Sequence, residues 1–225
     1  MSTKPEHHPS ALRNRDPILA ELQAILPTET EGLALEIASG TGAHVELFAP
    51  AFPKLTFQPT ELDSNLGEKV GKIGTFDGSQ LEIIDSFTSE IENVNKAVHL
   101  DASTPFGEWP AFVQENKGLF ALMYVSNVTH ISPWAVTCGI MEGAGQALAP
   151  GGTLVVYGPF KIDGACTTES NAAFDASLRE RNELWGYRDT ADVAAEAAKH
   201  GLELAERKDM PANNFLLRFS KAEAA

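Results

Sequence analysis

The sequence is poor in cysteine and in basic residues, and each shortage excludes a class of function. Among 225 residues there are two cysteines, Cys138 and Cys166, with no CxxC pair and no histidines at zinc-ligand spacing. We therefore expect reduced thiols in a cytoplasmic protein and no metal site. Lys and Arg number 17 against 31 Asp and Glu, a formal net charge of −14. Nucleic acid is an unsuitable partner for such a chain, because a protein that binds a phosphate backbone needs clustered Lys and Arg side chains.

Long apolar runs are also missing. No segment approaches the ~20 apolar residues that cross a bilayer, and MSTKPEHHPS at the start lacks the apolar core of a signal peptide. We interpret residues 1–10 as a flexible tail with solvated histidines, and we expect a soluble protein with no membrane partner. Residues 11–225 are long enough for a single domain with a sizeable core. Monomer and homodimer both remain open.

Short apolar runs alternate with helical patterns along the chain. The first helix is predicted to begin near Asp16 and Pro17, and a helical apolar stripe lies within 79–94. A doubly wound parallel sheet is typical of that alternation. The last two predicted strands, joined at residues 211–214, are too close in sequence for a crossover and must be antiparallel. We predict an α/β fold of the class I methyltransferase (Rossmann-like) type: a mostly parallel seven-stranded sheet with a terminal antiparallel strand and helices on both faces. The first five strands are predicted at residues 32–39, 54–63, 96–103, within 117–131 and at 151–160.

A glycine turn, Gly40-Thr41-Gly42, follows the first predicted strand. Glycine allows positive φ and close approach of a ligand to the backbone, and ligands of such sheets bind at the carboxyl ends of the strands. Val45 stands where a dinucleotide-binding fingerprint needs a third Gly or Ala. The Lys that follows the glycines of a phosphate-binding loop is absent here. The spacing Glu36-x-x-x-Gly40-x-Gly42 therefore favours S-adenosylmethionine (SAM), with NAD(P) as the alternative.

Carboxylates end the next two predicted strands. Glu61, with Asp63 in reserve, is predicted to accept both ribose hydroxyls, and Asp101 to accept the adenine amino group. Glu36 is predicted to reach the ligand's ammonium or to brace the turn. The predicted cofactor-binding residues are Glu36, Gly40, Thr41, Gly42, Glu61, Asp101 and Asn127, the last either touching the ligand or bracing its loop.

Candidate catalytic residues are His130, Tyr157 and Asp175. Methyl transfer mainly requires alignment of the nucleophile and exclusion of water, and a base is needed only for a poorly acidic hydroxyl or a protonated amine. His130 is the candidate base, because its ordinary pKa is near 6.5; the alternative is that it fixes its loop. Tyr157 has an apolar body and a polar tip, and its alternative is an ordinary half-buried position.

The segment 161–188 is long for a crossover and is predicted to form a lid. Its helix places Asn171, Asp175 and Arg179 on one face, while Phe174 and Leu178 should pack on the domain; the alternative is an exposed, salt-bridged face. Trp134 either walls the pocket or starts a core helix. The predicted acceptor-binding residues are Arg13, Asn14, Trp134, Phe160, Asn171 and Arg179, and an anionic acceptor is favoured if the two arginines converge.

Several motifs resemble a family of SAM-dependent methyltransferase-like proteins of bacteria and animals, formerly classed as a domain of unknown function, of the methyltransferase-like 26 type. They are LEIASGTG, NVTHISPW, YGPF, SNAAFDASLRERNELWGYRD and MPANN, and the resemblance runs from Leu12 to Phe219. It implies the class I fold and a SAM site, but little about the substrate. Departures are Ala43 for a usual Gln, Glu61 for a usual Asp, and a poor match over 64–95.

The resulting interpretation is a SAM-dependent methyltransferase that acts on a small molecule. Three alternatives remain at this point: a non-catalytic SAM-binding or partner-binding protein, a nicotinamide oxidoreductase, and a protein methyltransferase.

Overall fold

The computed structural model describes residues 6–63 and 79–223. Its strands are β1 (Gly32–Ile37), β2 (Leu55–Glu61), β3 (Val98–His99), β4 (Phe120–Ser126), β5 (Leu148–Gly158), β6 (Lys161–Ile162), β7 (Ala165–Cys166), β8 (Leu202–Met210) and β9 (Asn214–Lys221). Its helices are α1 (Pro9–Ile25), α2 (Ala43–Ala51), α3 (Gln80–Thr88), α4 (Ala111–Glu115), α5 (Trp134–Ala147), α6 (Glu169–Arg181) and α7 (Thr190–Ala198). None of these helices is long and apolar enough to cross a membrane.

The predicted fold class is confirmed. Seven strands form a mostly parallel sheet in the order β3-β2-β1-β4-β5-β9-β8, which is the strand order of the class I methyltransferase fold. Strand β9 runs antiparallel to both β5 and β8, as the short connection between the last two strands requires. The chain divides into two compact units, residues 1–100 and 101–225.

In the first unit the apolar run of β1 is buried on both sides, as a parallel strand requires. Register with β2 runs from Gly32 opposite Leu55 to Glu36 opposite Pro59. β3 pairs with the end of β2 and is much shorter than the predicted strand at 96–103, with only two residues.

The predicted start of the first helix near Asp16 and Pro17 is wrong. α1 begins at Pro9, because the His8 ring accepts a hydrogen bond from the Ser10 N–H at 3.2 Å and Pro9 stands in the first turn. Pro17 therefore lies inside the helix, where it removes one backbone donor. The helix still forms because Ile18 and Leu22 of its apolar stripe are fully buried.

α3 confirms the helical stripe predicted within 79–94. Ser79 and Glu82 form a capping box, in which each side chain accepts a hydrogen bond from the other's backbone N–H. That cap fixes where the helix begins, and Ile83 and Ile84 form its buried face.

In the second unit β4 and β5 pair in parallel, ending with Ser126 opposite Tyr157. A short hairpin of β6 and β7 follows β5, and the sequence analysis did not predict it. Helix α5 lies very close to the segment 102–109: a Cβ added at Gly139 would lie 1.8 Å from the Ala102 carbonyl oxygen, and one at Gly143 would lie 1.9 Å from the Trp109 ring. Glycine at both positions is therefore required by packing.

Candidate functional site

The glycine turn after β1 has left-handed backbone at both glycines, with φ of 60° at Gly40 and 83° at Gly42. A Cβ added at Gly42 would meet Ile84 at 3.3 Å, so this glycine makes room for α3. A Cβ added at Gly40 would meet no atom within 4 Å. The missing side chain at Gly40 therefore leaves open space beside an exposed backbone, the condition that close approach of a ligand requires.

Two side chains from elsewhere in the unit hold Gly40. Its N–H donates to Glu61 Oε2 at 2.7 Å, and its carbonyl accepts a hydrogen bond from the Gln80 side chain. The second Glu61 oxygen accepts from the Leu62 N–H at 2.9 Å. Burial raises the pKa of Glu61, although these two N–H donors act in the opposite direction. The predicted ribose acceptor thus braces the turn through Oε2, and each of its oxygens keeps a further lone pair.

A buried polar chain runs beneath the turn. His44 Nε2 donates to Asn14 Oδ1 at 2.8 Å, and His44 Nδ1 lies 3.7 Å from Glu36 Oε1. Glu36 Oε2 is buried with no hydrogen-bond partner among the described residues. Burial raises the pKa of Glu36 to about 8 and lowers the pKa of His44 to about 4. Both groups are therefore neutral at pH 7.

His7 was missed by the sequence analysis, which assigned it to a solvated tail. Its side chain is only 8% exposed. Nδ1 lies 2.7 Å from Thr41 Oγ1, Nε2 lies 2.9 Å from Glu46 Oε2, and the ring lies over Phe87 with centroids 3.9 Å apart. A single histidine in a polar stretch has no periodicity, so nothing in the sequence could have indicated this contact.

Asp101 and Asn127 follow β3 and β4; the contacts of Asp101 are local, whereas Asn127 also bonds to the end of the neighbouring strand β5. Asp101 Oδ1 accepts hydrogen bonds from the Ser103 N–H at 2.8 Å and from its hydroxyl at 2.6 Å. Asn127 has a positive φ of 58°, and its N–H donates to the Tyr157 carbonyl at 2.8 Å. Asn127 therefore shapes the loop after β4, one of the two roles predicted for it.

His130 lies buried after β4, with Nδ1 lacking a hydrogen-bond partner among the described residues. A Cβ added at Gly158 would lie 3.6 Å from that nitrogen, so this glycine leaves room in front of it. The rings of Phe174 and Tyr187 lie 6.2 and 5.9 Å from the His130 ring. Burial, with the positive charge of Arg188, lowers the pKa of His130 to about 4. The imidazole is therefore neutral at pH 7.

Asp175 on α6 is held by three donors. Its carboxylate accepts from the Tyr187 N–H at 2.7 Å and lies 2.9 Å from Lys161 Nζ and 3.3 Å from Arg179 Nε. Burial alone would raise its pKa, but these partners hold the pKa of Asp175 below its ordinary value. Asp175, a predicted catalytic residue, is thus an ionised anchor for the segment 161–188.

The expectation that Phe174 packs on the domain is wrong. Phe174 is 43% exposed, whereas Asn171 and Asp175 are each only 6% exposed and Leu178 is fully buried. Asn171 and Asp175 are buried because they have partners: Asn171 Nδ2, for example, donates to the Asn213 carbonyl at 3.1 Å. The face of α6 predicted to cover an acceptor is instead its buried face.

The chain matches the family model described as "Protein of unknown function (DUF938)" over residues 5–221. It belongs to the DUF938 family. This agrees with the sequence resemblance to proteins formerly classed as a domain of unknown function.

Solved structures similar to this DUF938 protein are methyltransferases at low sequence identity. An O-methyltransferase family protein from Burkholderia thailandensis is 14% identical with a TM-score of 0.70, covering 96% of this chain and 58% of its own. A Galdieria sulphuraria protein named as a sarcosine dimethylglycine methyltransferase is 10% identical with a TM-score of 0.68, covering 99% and 94%. CalO1, a methyltransferase in calicheamicin biosynthesis with bound S-adenosylhomocysteine (SAH), is 12% identical with a TM-score of 0.64, covering 95% and 54%.

This chain thus spans little more than half the length of two of these three proteins, and the likeness establishes the class I methyltransferase fold.

The remaining predicted residues of the DUF938 protein fall in different surroundings. Phe160 and Tyr157 are buried in the core, and Arg13 is exposed on α1. Trp134 begins α5, with the Arg188 guanidinium 5.8 Å from its ring. A cavity of about 590 Å³ in the second unit brings Trp134 and Arg179 together. Its other charged lining residues are Lys161, Arg188, Asp189, Asp192, Glu196 and Lys199.

Within the described ranges, no group of three or more His, Cys, Asp and Glu is arranged to hold a metal ion.

Proposed function

We propose that this DUF938 protein is a SAM-dependent methyltransferase that acts on a small-molecule acceptor and releases SAH. The observation that carries the proposal is the exposed, left-handed Gly40, which no packing contact requires to be glycine. The class I fold supports it, and two similar structures, PigF and CalO1, were solved with SAH. Assignment to the methyltransferase-like 26 type, a cytoplasmic location and a single catalytic domain over 11–225 belong to the same proposal.

The residues around the turn fit SAM in shape and in hydrogen bonding. SAM has a positively charged ammonium that donates hydrogen bonds, and the buried Glu36 Oε2, which has no partner among the described residues, can accept one. A cation bound there would favour the ionised form of Glu36. The open space at Gly40 suits an uncharged stretch of ligand against the backbone. In this proposal Glu36 contacts the amino acid end of SAM and Glu61 contacts its ribose. The glycine turn, residues 40–42, lies against the centre of the ligand. Asp101 remains the proposed adenine contact.

When bound, SAM supplies an electrophilic methyl group on a sulfonium. The role we propose for His130 is to orient the acceptor by accepting a hydrogen bond at Nδ1. A nitrogen whose pKa is about 4 is a weak base, so it suits an acceptor that is already acidic or nucleophilic. Asp175 has no proton-transfer role in this proposal, because Lys161, Arg179 and Tyr187 occupy its oxygens.

An anionic acceptor has less support. Arg179 is paired with Asp175, and the cavity that it lines carries Asp189 and Glu196 as well as Lys161. The exposed Arg13 is the remaining basis for that part of the proposal.

The test is a pair of arginine variants in a thermal-shift series with SAM, SAH, NAD and NADP. Gly40→Arg and Gly118→Arg both introduce a side chain at positive φ, 60° and 78°, where an added Cβ meets nothing within 4 Å. Both variants should therefore fold with similar backbone strain. A ligand at a concentration of about 100 times its Kd raises the free energy of unfolding by roughly 2.7 kcal/mol. That increase raises Tm by about 5–10 °C in a protein of this size.

We expect SAM and SAH to stabilise the wild type and Gly118→Arg by that amount, and Gly40→Arg to show no shift. Retained SAM binding in Gly40→Arg would move the site elsewhere, and a response to the nicotinamide ligands alone would refute the methyltransferase proposal. SAM binding without SAH production over an acceptor screen would favour the non-catalytic alternative.

A further inference from the structure

His7 connects the segment ahead of α1 to the middle of the glycine turn. Its Nδ1 lies 2.7 Å from the hydroxyl of Thr41, which stands between the two glycines. Thr41 is 5% exposed, and its neighbour Gly40 has its N–H and its carbonyl held by Glu61 and Gln80. Gly40 and the hydroxyl of Thr41 are thus each held by side chains from other elements.

The other ring nitrogen of His7 is tied to the first turn of α2. Nε2 lies 2.9 Å from Glu46 Oε2, and the same carboxylate oxygen lies 3.3 Å from Arg15 Nη1. Arg15 Nη1 also donates to the Ala43 carbonyl at 3.4 Å. The His7 ring packs on Phe87 of α3, so its position is fixed by contacts with three elements.

We propose that His7 is a positioning residue, which holds the glycine turn in the shape that binds the cofactor. This inference rests on the proposed SAM site. A turn held in its bound shape before the ligand arrives does not have to be ordered on binding, and that difference appears as affinity. The contact through Thr41 is the one that acts on the turn, whereas the contact through Glu46 acts on α2.

Two amide substitutions separate these contacts. The Asn side chain places a polar atom near the position of a histidine Nδ1, and the longer Gln side chain places one near Nε2. His7→Asn should therefore keep the bond to Thr41, and His7→Gln should keep the bond to Glu46. His8→Ala is the matched control, because His8 is exposed and caps α1 without contacting the turn.

The experiment measures SAM affinity by calorimetry, and amide hydrogen exchange of residues 38–43 in the ligand-free protein. We expect His7→Ala to weaken SAM binding about five-fold, the effect of one hydrogen bond, and to speed exchange in the turn. His7→Asn should restore both properties to within about two-fold of the wild type, His7→Gln should resemble His7→Ala, and His8→Ala should change neither.

Unchanged affinity and exchange in His7→Ala would overturn the proposal. So would equal defects in the Asn and Gln variants, because ring packing on Phe87 would then be the cause. If the wild type does not bind SAM, the proposed function fails. The exchange data on the ligand-free variants then still decide whether His7 holds the turn.

Discussion

Glu36 gives the sharpest prediction, because it is a carboxyl that the fold keeps protonated. Only 3% of it is exposed, and burial raises its pKa from 4.5 to about 8, with the negative charge of Glu61 acting in the same direction and a Ser39 hydrogen bond opposing. Between these two pKa values the native protein holds a proton that the unfolded chain has released. Stability that this group contributes below pH 4.5 is therefore lost as the pH rises towards 8.

The perturbation is Glu36→Gln, which has nearly the shape of the protonated carboxyl and does not ionise. Between the two pKa values, each pH unit lowers the free energy of unfolding of the wild type by about 1.4 kcal/mol. From pH 6.5 to 8 the loss is about 1.6 kcal/mol, because the slope flattens as Glu36 begins to ionise. The advantage of Glu36→Gln over wild type should grow by that amount, a relative rise in Tm of about 3–6 °C.

The assay is thermal or urea unfolding of both proteins at pH 6.5, 7, 7.5 and 8, without ligand. This window lies above the range of His44, whose pKa of about 4 in the native state affects stability mainly between pH 4 and 6.5. The surface variant Glu31→Gln is the control and should differ from the wild type by a constant amount. A constant difference for Glu36→Gln as well would mean that Glu36 is already ionised at pH 6.5, and the reasoning would be refuted.

Two further predictions concern the second unit. His130→Ala should bind SAM with unchanged Kd and lose methyl transfer by about 100-fold, because the acceptor loses its alignment; the measurement is SAH release with an accepted substrate, and unchanged turnover would leave His130 only a loop-fixing role. Gly143→Ala should lower the free energy of unfolding by about 1–3 kcal/mol, because its Cβ would lie 1.9 Å from the Trp109 ring. In the same urea titration Gly107→Ala, whose added Cβ meets nothing within 4 Å, is the control, and equal midpoints for the two variants would contradict the close packing of α5.

The sheet was predictable because its signals are local. Buried parallel strands are short apolar runs, and the connection between β8 and β9 is too short for anything but a hairpin. Local capping also explains the main error in the helices: His8 and Pro9 start α1 well before Asp16, and a histidine is an uncommon cap. The hairpin of β6 and β7 was missed because strands of two residues have no periodicity to detect.

The candidate site was predictable in residue type but only partly in contacts. The positive φ of Gly40 and Gly42 follows from sequence, since glycine is the residue that adopts it readily. The hydrogen-bond partners of the site residues do not follow from the sequence, because these partners lie far away along the chain. Asp175 was proposed as a catalyst, and Lys161 and the Tyr187 N–H made it an anchor. Because these contacts bury the face of α6 that carries Asp175, Phe174 lies on a neighbouring face and is half exposed.

The two side chains that hold Gly40 also set when the turn takes shape during folding. Glu61 lies 21 residues beyond Gly40 and Gln80 lies 40 residues beyond it. Contacts at such separations form late, because closing a longer loop costs more conformational entropy. A nascent chain thus contains β1 and both glycines well before β2 and α3 can fix the turn. A ligand that needs the turn in this shape should therefore bind only once β2 and α3 are in place, and it has no early nucleus to stabilise.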